Sequence, residues 1–197
     1  MKRMIPVAVA LLILTAACAS QKQSITYRPP QEAPLIAKTI GLVVRDVRQD
    51  KEVLSPTVQE MKIMSGLGGV VNLLMPKARA SLDPTDIVQA FDEALKIRLA
   101  NIGVAVRSGD LPDGTTLAID IEKVRLDLVS SNFRADVNYL ARVIQQGKVI
   151  HEERVLGNVE KYNLLGEKTG REVISQAFST AINNLPIRIL QKPAGQP

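Results

Sequence analysis

The sequence predicts an α+β fold: a mixed or mostly antiparallel sheet of about four to five strands, with two main helices packed on one face, after a signal peptide and a flexible tether. Three observations predict it. Consecutive long segments between residues 117 and 162 alternate apolar and polar side chains, which is typical of antiparallel strands. Two other stretches, residues 84–102 and 171–185, repeat apolar residues at helical spacing. A short apolar leader precedes all of them.

Residues 1–17 have the composition of a lipoprotein signal peptide. Lys2 and Arg3 are followed by an apolar run over residues 4–14, which is shorter than the roughly 20 residues of a membrane-spanning helix. Small residues then precede Cys18, the single cysteine of the chain. We therefore expect this leader to be cleaved and not to act as a membrane anchor.

The setting of Cys18 resembles a bacterial lipobox, whose thiol receives a diacylglyceryl group before cleavage. This resemblance implies that Cys18 becomes the first mature residue and that its acyl chains, palmitate among them, hold the protein on a membrane. Ala19 stands where an Asp would favour the inner membrane, so the outer membrane of a Gram-negative cell, facing the periplasm, is the expected location. The alternative is an ordinary secreted protein in which Cys18 stays a free thiol without a disulfide partner.

Composition limits the classes of function. Removing the leader takes away two basic residues and lowers the formal net charge from +5 to +3, without any dense basic run. Aromatic residues make up 3% of the chain, too few for stacking on bases, so we expect no nucleic-acid partner. We assign residues 18–38 to the lipidated cysteine and a polar, proline-bearing tether, residues 39–190 to one periplasmic α+β domain, and residues 191–197 to a loose tail.

The first strand of this domain begins at Thr39. Apolar residues fall on both of its faces, which predicts a strand in the middle of the sheet. Charged residues of both signs follow, with Asp46, Arg48 and Asp50 at alternate positions. They indicate either a polar site at the strand end or, as we favour, a solvated end with surface ion pairs.

A glycine- and methionine-rich segment, residues 61–75, fits neither a strand nor a regular helix. It is interpreted either as a loop or short helix over the sheet, or as a segment that docks on a partner or on lipid. The candidate partner-contact residues are Met61, Met64, Leu67, Val70, Leu73, Leu74 and Met75. A phosphate-binding loop is excluded because no Lys-Ser/Thr follows the glycines.

The remaining elements follow in a regular order. Pro84 opens a helix capped by Asp83 and ended by Gly103, and a short strand follows it. Three long strands then form a meander, with a bulge expected near Glu122 where the apolar phase shifts. After a lead-in from Gly166 to Gly170, the last helix carries a wide apolar stripe that needs a sheet to cover.

No catalytic or metal-binding set is evident in the sequence. The chain has one histidine, His151, which we expect on an exposed polar face. Carboxylates two apart, such as Asp120 and Glu122, share one face of a strand by geometry alone, which is no evidence of acid/base chemistry. We therefore predict no enzymatic activity, no catalytic residue, no cofactor and no metal ion.

The combined features resemble the YajG-type family of small bacterial envelope lipoproteins. The matching pieces are the lipobox cysteine, the proline-bearing tether, the first strand with its Asp46-x-Arg48 ending, and a helix closing on Asn101, Ile102 and Gly103 before a short strand. A broader similarity is to periplasmic α+β domains of other lipoproteins, including the curli-secretion channel lipoprotein. The resemblance implies fold and location, and it implies no particular reaction.

Three hypotheses about function follow. The first is a non-enzymatic accessory or structural lipoprotein of an envelope assembly, which contacts an envelope protein or itself through its sheet face or residues 61–75. The second is a subunit of an oligomeric secretion pore or ring. The third, disfavoured by the missing motifs, is a cell-envelope hydrolase.

Overall fold

The computed structural model describes Tyr27, residues 38–64 and residues 84–191, and it confirms the α+β prediction. Five strands form a mixed sheet, and helices accompany it. In chain order the elements are β1 (Lys38–Asp46), α1 (Pro56–Met64), α2 (Pro84–Asn101), β2 (Val104–Ser108), β3 (Thr115–Val129), β4 (Asn132–Gln145), β5 (Lys148–Tyr162), α3 (Glu167–Asn183) and α4 (Arg188–Gln191).

The sheet has the strand order β2-β1-β3-β4-β5. Strand β1 lies inside the sheet, as its two apolar faces predict, and pairs in parallel with both β2 and β3. Strands β3, β4 and β5 form the predicted antiparallel meander. The turn between β4 and β5 has positive φ at both Gln146 and Gly147, which matches the right-handed twist of a two-residue hairpin.

Both long helices pack on the same face of the sheet and bury its apolar side chains. Phe91 of α2 meets Tyr139 of β4 and Phe178 of α3 edge-on, with ring centroids 5.7 and 5.0 Å apart. Burial raises the pKa of Tyr139, whose hydroxyl donates a hydrogen bond to the carbonyl of Ala181 at 3.0 Å. This face is therefore a closed core, and the opposite face is left for other contacts.

Helix α1 includes residues 61–64, the first four residues of the glycine- and methionine-rich segment. Ser55 caps it by accepting a hydrogen bond from the Val58 amide, and Pro56 occupies the first helical position. Val58 is buried in the core, and the backbones of Ser55 and Leu126 are hydrogen-bonded, which joins this segment to β3. Met61 and Met64 lie in the last turns of α1.

The expected bulge is present, since the register of β3 against β4 shifts between Ile121 and Lys123. The last helix differs from the expectation, because it begins at Glu167 and includes Gly170. A β-carbon at Gly170 would lie 3.2 Å from Leu126 and 3.4 Å from Phe133. Gly170 therefore lies inside the helix, where the missing side chain lets the first helical turns pack closely on the sheet.

Candidate functional site: the open face of the sheet

The face of the sheet opposite α2 and α3, here called the open face, is covered by charged side chains. Successive residues of a strand point to opposite faces, so the buried positions of β4 alternate with more exposed ones, whereas β3 is buried on both faces from Thr115 to Ile121 and alternates only beyond it. Each polar position brings its side chain beside those of the neighbouring strands. The open face thus brings charged side chains of neighbouring strands within ion-pair distance of each other.

One row of charges crosses four strands. Arg45 on β1 places Nε 2.8 Å from Oδ1 of Asp120 on β3, and Arg142 on β4 places Nη1 2.9 Å from Oδ2 of the same carboxylate. Arg142 also donates through Nε to Glu152 on β5 at 2.8 Å. Asp120 is buried beneath these two guanidinium groups. The row therefore ties strands β1, β3, β4 and β5 together above the backbone ladder.

Two further clusters continue the pattern. Arg154 on β5 binds both carboxylate oxygens of Glu122 on β3, at 2.8 and 3.0 Å, and this hydrogen bonding raises the pKa of Arg154. Asp136 on β4 lies between Lys123 at 2.8 Å and Arg134 at 3.5 Å. Because both signs are interleaved, the open face has no large field of one sign that would steer a strongly charged ligand.

The paired carboxylates noted in the sequence are separated from each other by cations, with Asp120 and Glu122 each held by arginines. Among the described residues, no group of three or more His, Cys, Asp or Glu side chains could hold a metal ion. The carboxylates of the open face are thus engaged in ion pairs between strands.

His151 lies on the other face from the one expected. It pairs in register with Val143, whose side chain is buried in the core, so it belongs to the helix-bearing face at its edge. Its Nε2 is 3.4 Å from a carboxylate oxygen of Glu153, and the ring is partly exposed. An extra residue at Ile150 shifts the register of β5 against β4 next to His151.

At the end of β1 the side chains of Asp46 and Arg48 are buried, whereas the sequence favoured surface ion pairs there. Arg48 is buried and grips Asp46 through Nε at 3.0 Å and Nη2 at 2.9 Å. Burial alone would raise the pKa of Asp46, but hydrogen bonds from Arg48 and Lys51 outweigh it and lower that pKa to about 2. The Asp46-x-Arg48 pattern is therefore a structural clamp where β1 ends.

Asp50 behaves as the surface interpretation expects. Its carboxylate lies outside the clamp and forms an exposed ion pair with Nη1 of Arg125 at 2.8 Å. Between this pair and β3 lies an open groove of about 430 Å³, lined by Val47, Gln49, Asp50, Glu52, Glu122, Lys123, Val124 and Arg125. Within it Asp50 pairs with Arg125, whereas Lys123 and Glu122 pair with Asp136 and Arg154 on neighbouring strands.

Tyr27 is a contact residue that the sequence analysis missed. It packs on the core, and its hydroxyl donates to Oδ1 of Asn183 at the end of α3, at 2.8 Å. The buried Arg98 of α2 reaches the same oxygen with Nη1 at 3.5 Å. The available signal was a single aromatic residue in the polar stretch assigned to the tether.

The remaining predicted site residues lie outside the described residues. They are Cys18 and five residues of the glycine- and methionine-rich segment, namely Leu67, Val70, Leu73, Leu74 and Met75. The helices of the described part of the chain include none long and apolar enough to cross a membrane.

Comparison with known proteins gives similarity of fold only. No protein-family model matches the sequence, and no curated protein matches it significantly. Protein XCC0632 of Xanthomonas campestris, of family DUF330, superimposes with a TM-score of 0.55 at 15% identity, over 81% of this chain and 89% of that one. At this identity the match shows a shared fold and leaves function open.

Two weaker matches are a homologue of a neuraminyllactose-binding hemagglutinin from Helicobacter pylori and a minor lipoprotein from Acinetobacter baumannii. The first has a TM-score of 0.44 at 9% identity, covering 85% of this chain and 96% of that one. The second has a TM-score of 0.40 at 15% identity, covering 83% of this chain and 100% of that one.

Proposed function

We propose that the protein is a non-enzymatic envelope lipoprotein, anchored through acylated Cys18 to the outer membrane of a Gram-negative cell and facing the periplasm. Its sheet domain serves as an accessory or structural component of an envelope assembly, in the manner of the YajG-type family that the sequence resembles. The open face is the proposed contact surface for a protein of that assembly. The leader and Cys18 support the anchor, and the interlocked charges of the open face support the contact role.

The open face is the observation that carries the contact role. Its ion pairs hold long side chains in fixed positions, so less rotamer entropy is lost when a partner covers them. Apolar side chains lie among the charges, with Leu140 and Ile144 partly buried and Leu156 exposed. Alternating polar and apolar groups on a flat, preorganised surface are what a non-obligate protein interface presents.

Replacing Cys18 tests the anchor. In Cys18→Ser we expect complete loss of metabolic labelling by a palmitate analogue and accumulation of a longer chain that keeps residues 1–17, because lipidation precedes cleavage in the proposed route. A matched control, Cys18→Ser with Ser24→Cys, keeps one thiol but places it after Gln21, Lys22 and Gln23, which are not small residues. We expect this control to be unlabelled as well. Label that persists in either variant would refute the lipoprotein assignment.

Site-specific photocrosslinking in native membranes tests the contact surface. A photoreactive residue at Leu156 on the open face is compared with one at Ile97 on helix α2, since both side chains are 46% exposed. We expect Leu156 to give a discrete crosslinked band whose second component mass spectrometry identifies as an envelope protein, and Ile97 to give none.

The other outcomes of this experiment are also informative. Crosslinks from Leu156 only to further copies of the same chain would replace the accessory role with the ring or pore hypothesis. Equal, diffuse crosslinking from both positions would contradict a dedicated contact surface on the open face.

A further inference from the structure

Four large apolar side chains are exposed together at one end of the sheet. Tyr162 is 60%, Leu164 77% and Leu165 63% exposed in the turn that links β5 to α3, and Val129 is 50% exposed where β3 ends. Strand pairing brings them together, because Val129 pairs with Asn132 and Asn132 pairs with Tyr162. We call these four residues the apolar tip.

The apolar tip is held in place by its own hydrogen bonds. The Asn163 amide donates to the carbonyl of Ser131 at 2.9 Å, which fastens the two turns to each other. The Leu165 amide donates to Oγ1 of Thr169, and the Gly166 amide to Oδ1 of Asn163. The two leucines therefore protrude from a fixed turn, and their exposure is a property of the fold.

Cations flank this protrusion. Lys161 precedes Tyr162, Lys168 lies in the first turn of α3, and both are exposed. The neighbouring carboxylate of Glu160 accepts a hydrogen bond from Asn132 at 2.7 Å. This arrangement matches a membrane interface, where apolar groups enter the lipid and cations stay at the headgroups. The adjacent leucines and the tyrosine provide the apolar groups, and the lysines at the margin provide the cations.

The length of chain before Tyr27 allows this end to reach the membrane that holds the anchor. Tyr27 is fixed at Asn183, the far end of α3, and that helix spans about 25 Å between Asn183 and the apolar tip. Eight residues lie between Cys18 and Tyr27, and the nine residue-to-residue steps of a fully extended chain span about 30 Å. From the anchor, a bilayer is therefore within reach of the tip.

We propose that the apolar tip inserts shallowly into the same lipid surface that carries the acylated Cys18 and so gives the domain a second membrane contact. This inference rests on the proposed lipidation. The opposite end of β5 also exposes apolar residues, Val149 at 53% and Ile150 at 42%, but they are fewer and less exposed. The two ends of β5 thus provide a proposed contact and a matched control on the same strand.

Single tryptophans report which end meets lipid, because the chain contains no Trp. Lipidated Leu164→Trp and Ile150→Trp proteins are reconstituted into phosphatidylcholine vesicles with a minor fraction of phosphatidylglycerol, with and without brominated acyl chains. For Leu164→Trp we expect a blue-shifted emission that brominated lipid quenches by about half or more, and for Ile150→Trp a water-like emission without quenching.

Flotation of the same vesicles separates failure of this inference from failure of the anchor. If the Leu164→Trp protein floats with the vesicles and its emission stays water-like, the tip proposal is overturned while the anchor stands. Quenching of the Ile150→Trp protein alone would overturn it too, by placing the other end at the membrane. Blue-shifted emission from Leu164→Trp without quenching would indicate burial against protein and would likewise overturn it. Protein that does not float at all would contradict the proposed anchor instead.

Discussion

Gly157→Ala should destabilise the protein by about 3 kcal/mol, because it adds volume where strand and helix already touch. A β-carbon at Gly157 would lie 2.6 Å from both the β-carbon and the backbone nitrogen of Ala181, and closer still to the carbonyl oxygen of Ala177. These neighbours belong to the backbone and first side-chain atoms of α3, which cannot swing aside. The free energy of unfolding, measured by urea denaturation of the purified protein, gives the size of this effect.

Gly147→Ala is the matched control for that substitution. Gly147 has φ of 73° and nothing within 4 Å of an added β-carbon, so the new methyl group meets only backbone strain of about 1 kcal/mol. If the two variants lose equal stability, close packing of α3 on β5 is not what requires glycine at position 157.

Arg48→Met should cost about 3 kcal/mol at neutral pH, because it removes the buried partner of the Asp46 carboxylate and leaves only the exposed Lys51 beside it. Adding Asp46→Asn removes the carboxylate charge, so the double variant should be more stable than Arg48→Met alone. Arg125→Met breaks the exposed pair with Asp50 and should change stability by less than about 1 kcal/mol. The coupling between Asp46 and Arg48 is measured by urea denaturation of the parent protein, the two single variants and the double variant.

The same clamp gives the protein a defined acid sensitivity. The pKa of Asp46 is about 2 in the folded state against a reference value of 3.8, so its stabilising contribution is complete above about pH 4 and is lost as pH falls toward 2. The contribution is about 2 kcal/mol. In Asp46→Asn this portion of the acid dependence should disappear. An unchanged acid profile in that variant would show that the clamp does not supply it.

Local patterns predicted most of the fold. The apolar alternation from residue 117 to residue 162 predicted the meander, and the phase shift near Glu122 predicted the bulge, because both depend on which face each side chain must bury. Pro84 and Gly103 predicted the helix between them through backbone preferences that hold in any context.

Tertiary packing accounts for what the sequence did not reveal. The charge pattern around Arg48 favours a surface position, and only the folded chain shows that this side chain is covered. The polar residues around Tyr27 favour a tether. The hydrogen-bond acceptor of its hydroxyl, Asn183, is 156 residues away, so neighbouring residues in the sequence do not indicate this contact. In the sequence, Gly170 is typical of a helix boundary. Leu126 and Phe133, which pack against it, are distant in the sequence and approach it only in the folded chain. In each case burial that is set by tertiary packing overrode a local preference.

The interior position of β1 has a consequence for how the chain assembles after export. Arg45 on β1 and Asp120 on β3 are 75 residues apart, whereas the hairpins of the meander close within a few residues. Local pairing is entropically cheaper, so we expect the meander and α3 to form first and β1 to join them late, as a non-local addition. A chain that emerges N-terminus first is therefore expected to expose β1, an interior strand of the sheet, unpaired until the last third of the protein has arrived. Periplasmic holding factors would be expected to act on that strand.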